Sequence, residues 1–318
     1  MTETTPPSVQ VRGTSQTGRV PRWLYNILVG NLIAQTGIVI TGGLVRLTGS
    51  GLGCPTWPQC TPESLVPVSA QEEGFHKFIE FGNRTLTFVL TVLAIATLVG
   101  VILWNRRRVQ AGAQSRTQLQ WLAVVPLIGT FAQAVLGGLT VITGLNPLYV
   151  AAHFLVSALL MAASLALVVR SKQSADEPIR VVVHPAVRWL SWAVVIVGFV
   201  VLTLGTIVTG SGPHSGDADV AHRLPFNVQT MSWLHADSVM VFIGLIIGLV
   251  VCLIATKAPK RIQKRAWILI IVCLAQGVIG YTQYFLAVPW VLVMFHLLGA
   301  CAVWLAVLTT HFSEVERG

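Results

Sequence analysis

Three histidines, His153, His235 and His296, interrupt long apolar stretches of this 318-residue sequence. Their surroundings read AAHFLVSALLMAA, SWLHADSVMVFIG and VMFHLLGACAVW. An ionisable side chain is costly inside a bilayer, so a histidine in such a stretch indicates a function. A neutral imidazole can bind a metal through one nitrogen while a hydrogen bond holds the other, and haem iron is often held this way in helix bundles. The structural alternative is a hydrogen bond between helices.

A second group of polar residues lies in the stretch FHKFIEFGNRTLTF. His76 and Asn83 are seven residues apart, so they share one face of a helix, and Glu80 lies one turn from each. A carboxylate beside a bound macrocycle could act as an acid–base or charge-stabilising group. The alternative is a surface glutamate paired with Lys77 or Arg84. The second half of the chain has no matching glutamate, which predicts that only one half does chemistry.

Two cysteines, Cys54 and Cys60, enclose the short sequence CPTWPQC. Thiols six residues apart on the oxidising side of a membrane can form a disulfide. We favour a disulfide here over a metal-binding pair or two free thiols, because no further metal ligands stand nearby. The three other cysteines lie in apolar stretches, where cysteine usually packs as a small apolar residue.

The elements that position these residues are membrane-spanning helices. Mean hydropathy is +0.72, 54% of residues are hydrophobic and only 10% are charged. These values exclude an ordinary soluble domain. The net charge of +9 comes from short loops between apolar runs and does not indicate nucleic-acid binding. We predict eight spans, at about 23–45, 76–104, 120–142, 147–169, 189–208, 232–255, 266–284 and 288–310.

The distribution of basic residues predicts the orientation of these spans. Of 21 Lys and Arg residues, all but Arg46, Lys77, Arg84 and Arg223 fall on the side of the two termini. By the positive-inside rule, both termini are cytoplasmic and the two long loops face outward, as expected for a multi-pass protein of the cell membrane. Arg46 and Arg84 could pair with haem propionates, since guanidinium binds carboxylate in bidentate fashion; interfacial anchoring is the alternative.

The two halves of the sequence repeat each other. TGSG follows the first and the fifth span, and a glutamine precedes a histidine by twenty residues in both Gln133–His153 and Gln276–His296. Because both halves begin on the same side, this is a parallel repeat. The predicted fold is an all-α membrane protein with eight transmembrane helices arranged as two parallel-repeat four-helix bundles. Its predicted segments are a disordered cytoplasmic tail (1–22), an N-terminal half (23–169), a cytoplasmic linker (170–188), a C-terminal half (189–310) and a cytoplasmic tail (311–318).

These features together resemble the heme A synthase family over about residues 23–310. The resemblance rests on TGSGLGCPTWPQC after span 1, IEFGNR in span 2, and one histidine each in spans 4, 6 and 8. It implies oxidation of a ring methyl of heme O to a formyl group, giving heme A for cytochrome oxidase. The N-terminal half would hold the substrate haem and the C-terminal half a haem b. A heme O synthase and cytochrome oxidase assembly factors are the partners it suggests.

The resemblance also implies roles for individual residues. His235 and His296 would bind the iron of haem b, and His153 the iron of the substrate haem. Glu80 would be the catalytic carboxylate. The cysteine pair matches the loop disulfide of the family.

The sequence departs from the family pattern at one ligand. The family has Glu-x-x-His-Arg, whereas this chain has Asn83 in place of the histidine. An amide is a poor iron ligand, so either His76 replaces it from two turns away or His153 is the only ligand; we expect His76. Two other functions stay open: an electron-transferring membrane cytochrome b linked to quinol, and a small-solute transporter.

Overall fold

The computed structural model describes residues 18–69, 71–175, 177–214 and 222–317. Within these residues, eight α-helices are long and apolar enough to cross a membrane. They are α1 (Arg22–Leu47), α2 (His76–Gln110), α3 (Thr117–Ile142), α4 (Pro147–Ser171), α5 (Pro185–Ser211), α6 (Val228–Ala255), α7 (Lys260–Phe285) and α8 (Trp290–Phe312). The expected eight-helix membrane fold is confirmed.

Local signals set several helix ends. Asn146 caps α4, because its side chain accepts a hydrogen bond of 3.0 Å from the N–H of Leu148. Asn227 caps α6 in the same way, accepting from the N–H of Thr230 at 2.9 Å. α2 continues past the predicted end of its span to residue 110, since the exposed arginine side chains at 106 and 107 can lie along the helix and reach water.

Apolar side chains form one buried cluster in each half of the chain and a third between the halves. The first cluster includes Leu24 and Leu167, and the second includes Phe242. The third joins α4 to α8, where Nε1 of Trp304 donates a hydrogen bond of 2.9 Å to the carbonyl of Ala158. α4 and α8 therefore lie at the centre of the contact between halves.

The α3–α4 and α7–α8 turns share an unusual backbone conformation. Gly144 and Leu145 have φ angles of 62° and 59°, and Ala287 and Val288 have φ angles of 57° and 55°. The two pairs stand in the register of the sequence repeat. Positive φ is uncommon outside glycine, so its recurrence indicates that both helix pairs are built in the same way.

A small antiparallel sheet joins the linker to the C-terminal residues. β1 (Ile179–Val181) pairs with β2 (Val315–Arg317), and the carbonyl of Glu314 accepts a hydrogen bond of 2.9 Å from the N–H of Val182. α8 continues to Phe312, two residues into the predicted tail 311–318, and the strand follows within that segment. Strands of three residues are too short to produce an alternating pattern, which is why the sequence did not predict them.

Part of the predicted N-terminal tail, residues 1–17, lies outside the described residues. The four residues before α1 are held by the end of α4. The N–H of Val20 donates to the carbonyl of Ser171 at 3.3 Å, and the carbonyl of Gly18 accepts from the N–H of Ala175 at 3.1 Å. The described part of this segment is therefore ordered.

Candidate functional site

Two of the three histidines face a glycine at equivalent positions of the repeat. A methyl group placed on Gly137 of α3 would lie 3.5 Å from Cε1 of His153, and one on Gly280 of α7 would lie 3.0 Å from Cε1 of His296. Because these glycines have no side chain, each imidazole lies close to the backbone of the neighbouring helix. The ring is thereby held in the groove between two helices.

His235 is placed in the same manner by α5. A methyl group on Gly205 would lie 3.3 Å from Cε1 of His235, and the ring Nδ1 is buried without a hydrogen-bond partner. His235 on α6 and His296 on α8 are thus both placed against a glycine of a neighbouring helix in the second half. Two imidazoles in one half of the bundle could together hold one haem iron.

Glu80 is buried at the start of α2, where three N–H groups surround its carboxylate. Only 4% of the residue is exposed. Oε2 accepts a hydrogen bond of 2.6 Å from the N–H of Cys54, while Oε1 accepts from Nε and Nη2 of Arg84 at 3.0 and 2.5 Å. Of the two possible ion-pair partners, Arg84 is therefore the one used. These donors favour the charged carboxylate, whereas burial favours the neutral acid.

Arg84 joins this carboxylate to the loop between α1 and α2. Nη1 donates to the carbonyls of Thr56 and Gln59 at 2.9 and 3.1 Å, and Nη2 donates to the carbonyl of Cys54 at 2.7 Å. With the two bonds to Glu80, each of the five N–H groups of the guanidinium has an acceptor. Contact between Arg84 and a haem remains a prediction, and it would require one of these bonds to break.

The loop itself carries the expected disulfide between Cys54 and Cys60. Nζ of Lys77, the other candidate partner of Glu80, donates instead to the carbonyl of Val68 at 2.6 Å. Two further side chains hold the loop in place. The indole of Trp57 lies directly over α3, and the side chain of Gln71 donates to a loop carbonyl at 2.7 Å. The loop is therefore fixed to the helices at several points.

Asn83 and His76 lie on α2 with different partners. Oδ1 of Asn83 accepts a hydrogen bond of 2.7 Å from the hydroxyl of Thr41 on α1. His76 is the first residue of α2; its Nδ1 lies 2.8 Å from Oγ of Ser50, and its ring stacks on Phe75 with centroids 4.2 Å apart. Within the described residues, neither side chain forms a hydrogen bond with His153. The role of His76 as an iron ligand stays a prediction.

Arg46 also has protein partners at this end of the bundle. Its Nε donates to the carbonyl of His214 at 2.7 Å, and Nη2 donates to the carbonyl of Thr209 at 2.9 Å. These bonds connect the end of α1 with the end of α5, so Arg46 links the two halves. Propionate binding by this residue remains a prediction.

The sequence interpretation missed the functional meaning of two glutamines. Gln133 and Gln276 marked the repeat, but the structure places both amides against the histidines of the adjacent helix. The signal was present, because each glutamine precedes its histidine by the same twenty residues. Thr41, the partner of Asn83, had no such signal because the contact joins two different helices.

These residues fit a haem better than a bare metal ion. Within the described part of the chain, no group of three or more His, Cys, Asp or Glu side chains comes together. A protein-bound metal ion usually needs three or more such ligands, whereas porphyrin nitrogens leave only one or two axial positions for imidazoles. The three buried imidazoles, each against a glycine of a neighbouring helix, could hold haem iron.

Comparison with known proteins agrees with this geometry. The COX15-CtaA family model, described as a cytochrome oxidase assembly protein, matches residues 25–308. The chain belongs to the COX15-CtaA family. The matched range contains all the histidines, the glutamate and the cysteines discussed above, and the resemblance seen in the sequence is confirmed.

Several proteins similar to this chain are named heme A synthase. One from Geobacillus kaustophilus (strain HTA426) is 33% identical over 144 residues, covering 45% of this chain and 40% of the relative. One from Lysinibacillus sphaericus (strain C3-41) is 30% identical over 211 residues, covering 64% of this chain and 62% of the relative. The chain thus matches less than two thirds of the length of these relatives.

Proposed function

We propose that this chain is a heme A synthase, a membrane oxidoreductase that converts heme O into heme A for cytochrome oxidase. One observation carries the proposal. Both halves hold histidines against glycines, but among the described residues only the first half adds a buried carboxylate beside a disulfide-bonded loop, Glu80; the other buried carboxylate, Glu314, follows α8 beside the small sheet. A protein that only transferred electrons between two haems would not need a buried carboxylate in one half.

The two halves would have separate roles. In the second half, His235 and His296 would hold the iron of a haem b. In the first half, His153 would bind the iron of heme O, and His76 is the expected second ligand. When bound, the haems supply iron that changes between two oxidation states. The protein contributes the ligands, the orientation of the ring and the exclusion of water.

Glu80 would act on the ring methyl group that is oxidised. With water as the oxygen source, the overall change is R–CH3 + H2O → R–CHO + 4 H+ + 4 e−, and a redox carrier of the membrane takes the electrons. Positive charge develops on the methyl carbon as electrons leave. In its ionised form, a carboxylate hydrogen-bonded to Arg84 and to the N–H of Cys54 can stabilise that charge. A neutral isostere could not.

We also propose the orientation and setting of the protein. Seventeen of 21 basic residues lie on the side of the two termini, so the termini would be cytoplasmic and the disulfide-bonded loop would face outward from the cell membrane. An oxidising exterior is compatible with the Cys54–Cys60 bond. A heme O synthase would supply the substrate, and assembly factors of cytochrome oxidase would receive the product.

Expression in a strain that lacks its own heme A synthase, followed by haem extraction, tests the proposal. The wild-type chain should restore heme A. Glu80→Gln should abolish heme A while haem b stays bound, and Asp237→Asn, which changes an exposed acid of the second half, should behave as wild type. Heme A production by Glu80→Gln would disprove the catalytic role. Only haem b under all conditions, even with wild type, would favour an electron-transferring cytochrome b.

A further inference from the structure

A cleft of about 370 Å³ lies where α1 begins and α4 ends. It is lined by three basic side chains, one aromatic ring and two further residues: Arg19, Val20, Arg22, Tyr25, Ser171 and Lys172. Ligand sites in proteins usually have volumes of about 300–1,000 Å³. The cleft is therefore large enough for a small ligand, and all the charge on its lining is positive.

Among the residues that the structure describes, the basic side chains of the cleft have no acidic partner. None of the ion pairs between described residues includes Arg19, Arg22 or Lys172. Glu177, the first described acid after Lys172, is exposed and takes part in none of these pairs. Three cations around one cleft repel one another, and an anion between them offsets this repulsion. The charge of the cleft thus favours an anionic ligand.

Main-chain hydrogen bonds hold the two sides of the cleft together. The N–H of Val20 donates to the carbonyl of Ser171 at 3.3 Å, and the N–H of Ala175 donates to the carbonyl of Gly18 at 3.1 Å. These bonds join the segment before α1 to the end of α4 at two points. The basic side chains therefore project from a connected backbone frame and not from two separate chain segments.

Aromatic side chains mark the depth of the cleft in the bilayer. Nζ of Lys172 lies 4.7 Å from the centroid of the Tyr25 ring, a cation–π contact that positions the ammonium. Trp23, next to Arg22, is 46% exposed. Tryptophan and tyrosine are enriched at the boundary between membrane and water, where lipid headgroups lie. The cleft is therefore at the level of the headgroups.

The second half differs at the equivalent position. In the register of the repeat, Ser171 corresponds to Glu314 and Lys172 corresponds to Val315, a residue of β2. A carboxylate at this position repels anions. Both halves end their last helix on the same side, but only the first places basic residues there around a cleft that the structure describes. A general excess of basic residues on this side does not account for the difference.

We propose that the cleft binds the phosphate of an anionic phospholipid headgroup. Guanidinium groups bind phosphate in bidentate fashion, and an ammonium adds a point charge. Basic pockets between transmembrane helices on the cytoplasmic side are recurrent sites for such headgroups. A lipid fits better than free phosphate, because the cleft lies between the ends of two spanning helices. The bound lipid would connect the start of α1 with the end of α4, and the inference does not depend on the haem chemistry.

Native mass spectrometry of the purified full-length protein tests the proposal. The protein is titrated with phosphatidylglycerol or with phosphatidylcholine, and the retained lipid is measured. Wild type should retain phosphatidylglycerol more tightly. Each lost cation should weaken this binding about fivefold, so the triple variant Arg19→Gln/Arg22→Gln/Lys172→Gln should weaken it about a hundredfold.

A matched control removes the same charge from exposed positions at the same end of the bundle. This variant, Arg106→Gln/Arg107→Gln/Lys264→Gln, should retain phosphatidylglycerol as wild type does. Equal retention by the two triple variants would overturn the proposal. If the first triple variant does not fold, Arg22→Gln and Lys172→Gln decide separately, each with an expected fivefold loss.

Amide hydrogen exchange locates the lipid and identifies its source. The N–H groups of Val20 and Ala175 should exchange more slowly in nanodiscs that contain phosphatidylglycerol than in phosphatidylcholine alone, because a ligand that bridges the two segments opposes their separation. The cleft variant should lose this difference and the control should keep it. Inorganic phosphate, added to the detergent-solubilised protein, should not protect these amides. Equal protection by phosphate would contradict the assignment of a lipid.

Discussion

Replacing Arg84 by alanine should release the α1–α2 loop from the membrane helices. The change removes the ion pair with Glu80 and the bonds to the carbonyls of Cys54, Thr56 and Gln59. Breaking a buried ion pair by removing one partner costs about 3–5 kcal/mol. The Arg84 side chain is 20% exposed and that of Glu80 6%, so the lower value applies.

A cost of about 3 kcal/mol corresponds to a little over a hundredfold change in the local opening equilibrium. Amide hydrogen exchange measures this opening directly when the protein is held in lipid nanodiscs. Amides near Cys54, whose own N–H donates to Glu80, should exchange about a hundredfold faster in Arg84→Ala. Arg106→Ala changes an exposed arginine on the same helix and should leave these rates unchanged. Equal exchange in both variants would refute the idea that Arg84 holds the loop.

Three further changes give distinct outcomes. Replacing both Cys54 and Cys60 by serine should destabilise the loop by about 2 kcal/mol, since the closed loop is short, and exchange at residues 53–60 reports it. Gly138→Ala should displace Trp57, because the added methyl group would lie 2.6 Å from Cε2 of the indole; loop exchange should rise although no hydrogen bond is deleted. Glu314→Gln should remove a pH dependence of the stability of the β1–β2 sheet. Hydrogen exchange at the N–H of Val182, which donates to the Glu314 carbonyl, measures this stability once the intrinsic pH dependence of exchange is subtracted.

The sign of that pH dependence follows from burial. Burial raises the pKa of the Glu314 carboxyl from 4.5 to about 7, an effect that Ser191 and Arg188 only partly oppose. The folded sheet therefore keeps a proton that the opened form releases. Its stability is greatest below about pH 4.5 and falls as pH rises through 7. Stability that increases over this range would contradict the assignment.

Helix positions could be predicted from the sequence because they depend on local properties. A run of about 20 apolar residues determines a span, and each predicted span is present as a helix. The paired strands Ile179–Val181 and Val315–Arg317 could not be predicted, since their pairing joins residues more than a hundred positions apart.

The candidate site was predictable in its residue types and only partly in its contacts. Helix spacing left both Lys77 and Arg84 as partners for Glu80, because both lie about one turn away. Contacts with the loop distinguish the two. A loop carbonyl binds the ammonium of Lys77, whereas the guanidinium of Arg84 binds loop carbonyls and the carboxylate together. The bond between Asn83 and Thr41 depends on how two helices face each other, which sequence spacing does not determine.

Optical and electron-resonance spectra of the purified protein, with chemical identification of the extracted haem, test the central claim most directly. We expect a coloured protein with haem b and with heme O or heme A. His235→Ala and His296→Ala should lose haem b, while His153→Ala should lose the other haem. A colourless wild-type protein, or three variants that keep the wild-type haem content and spectra, would contradict it.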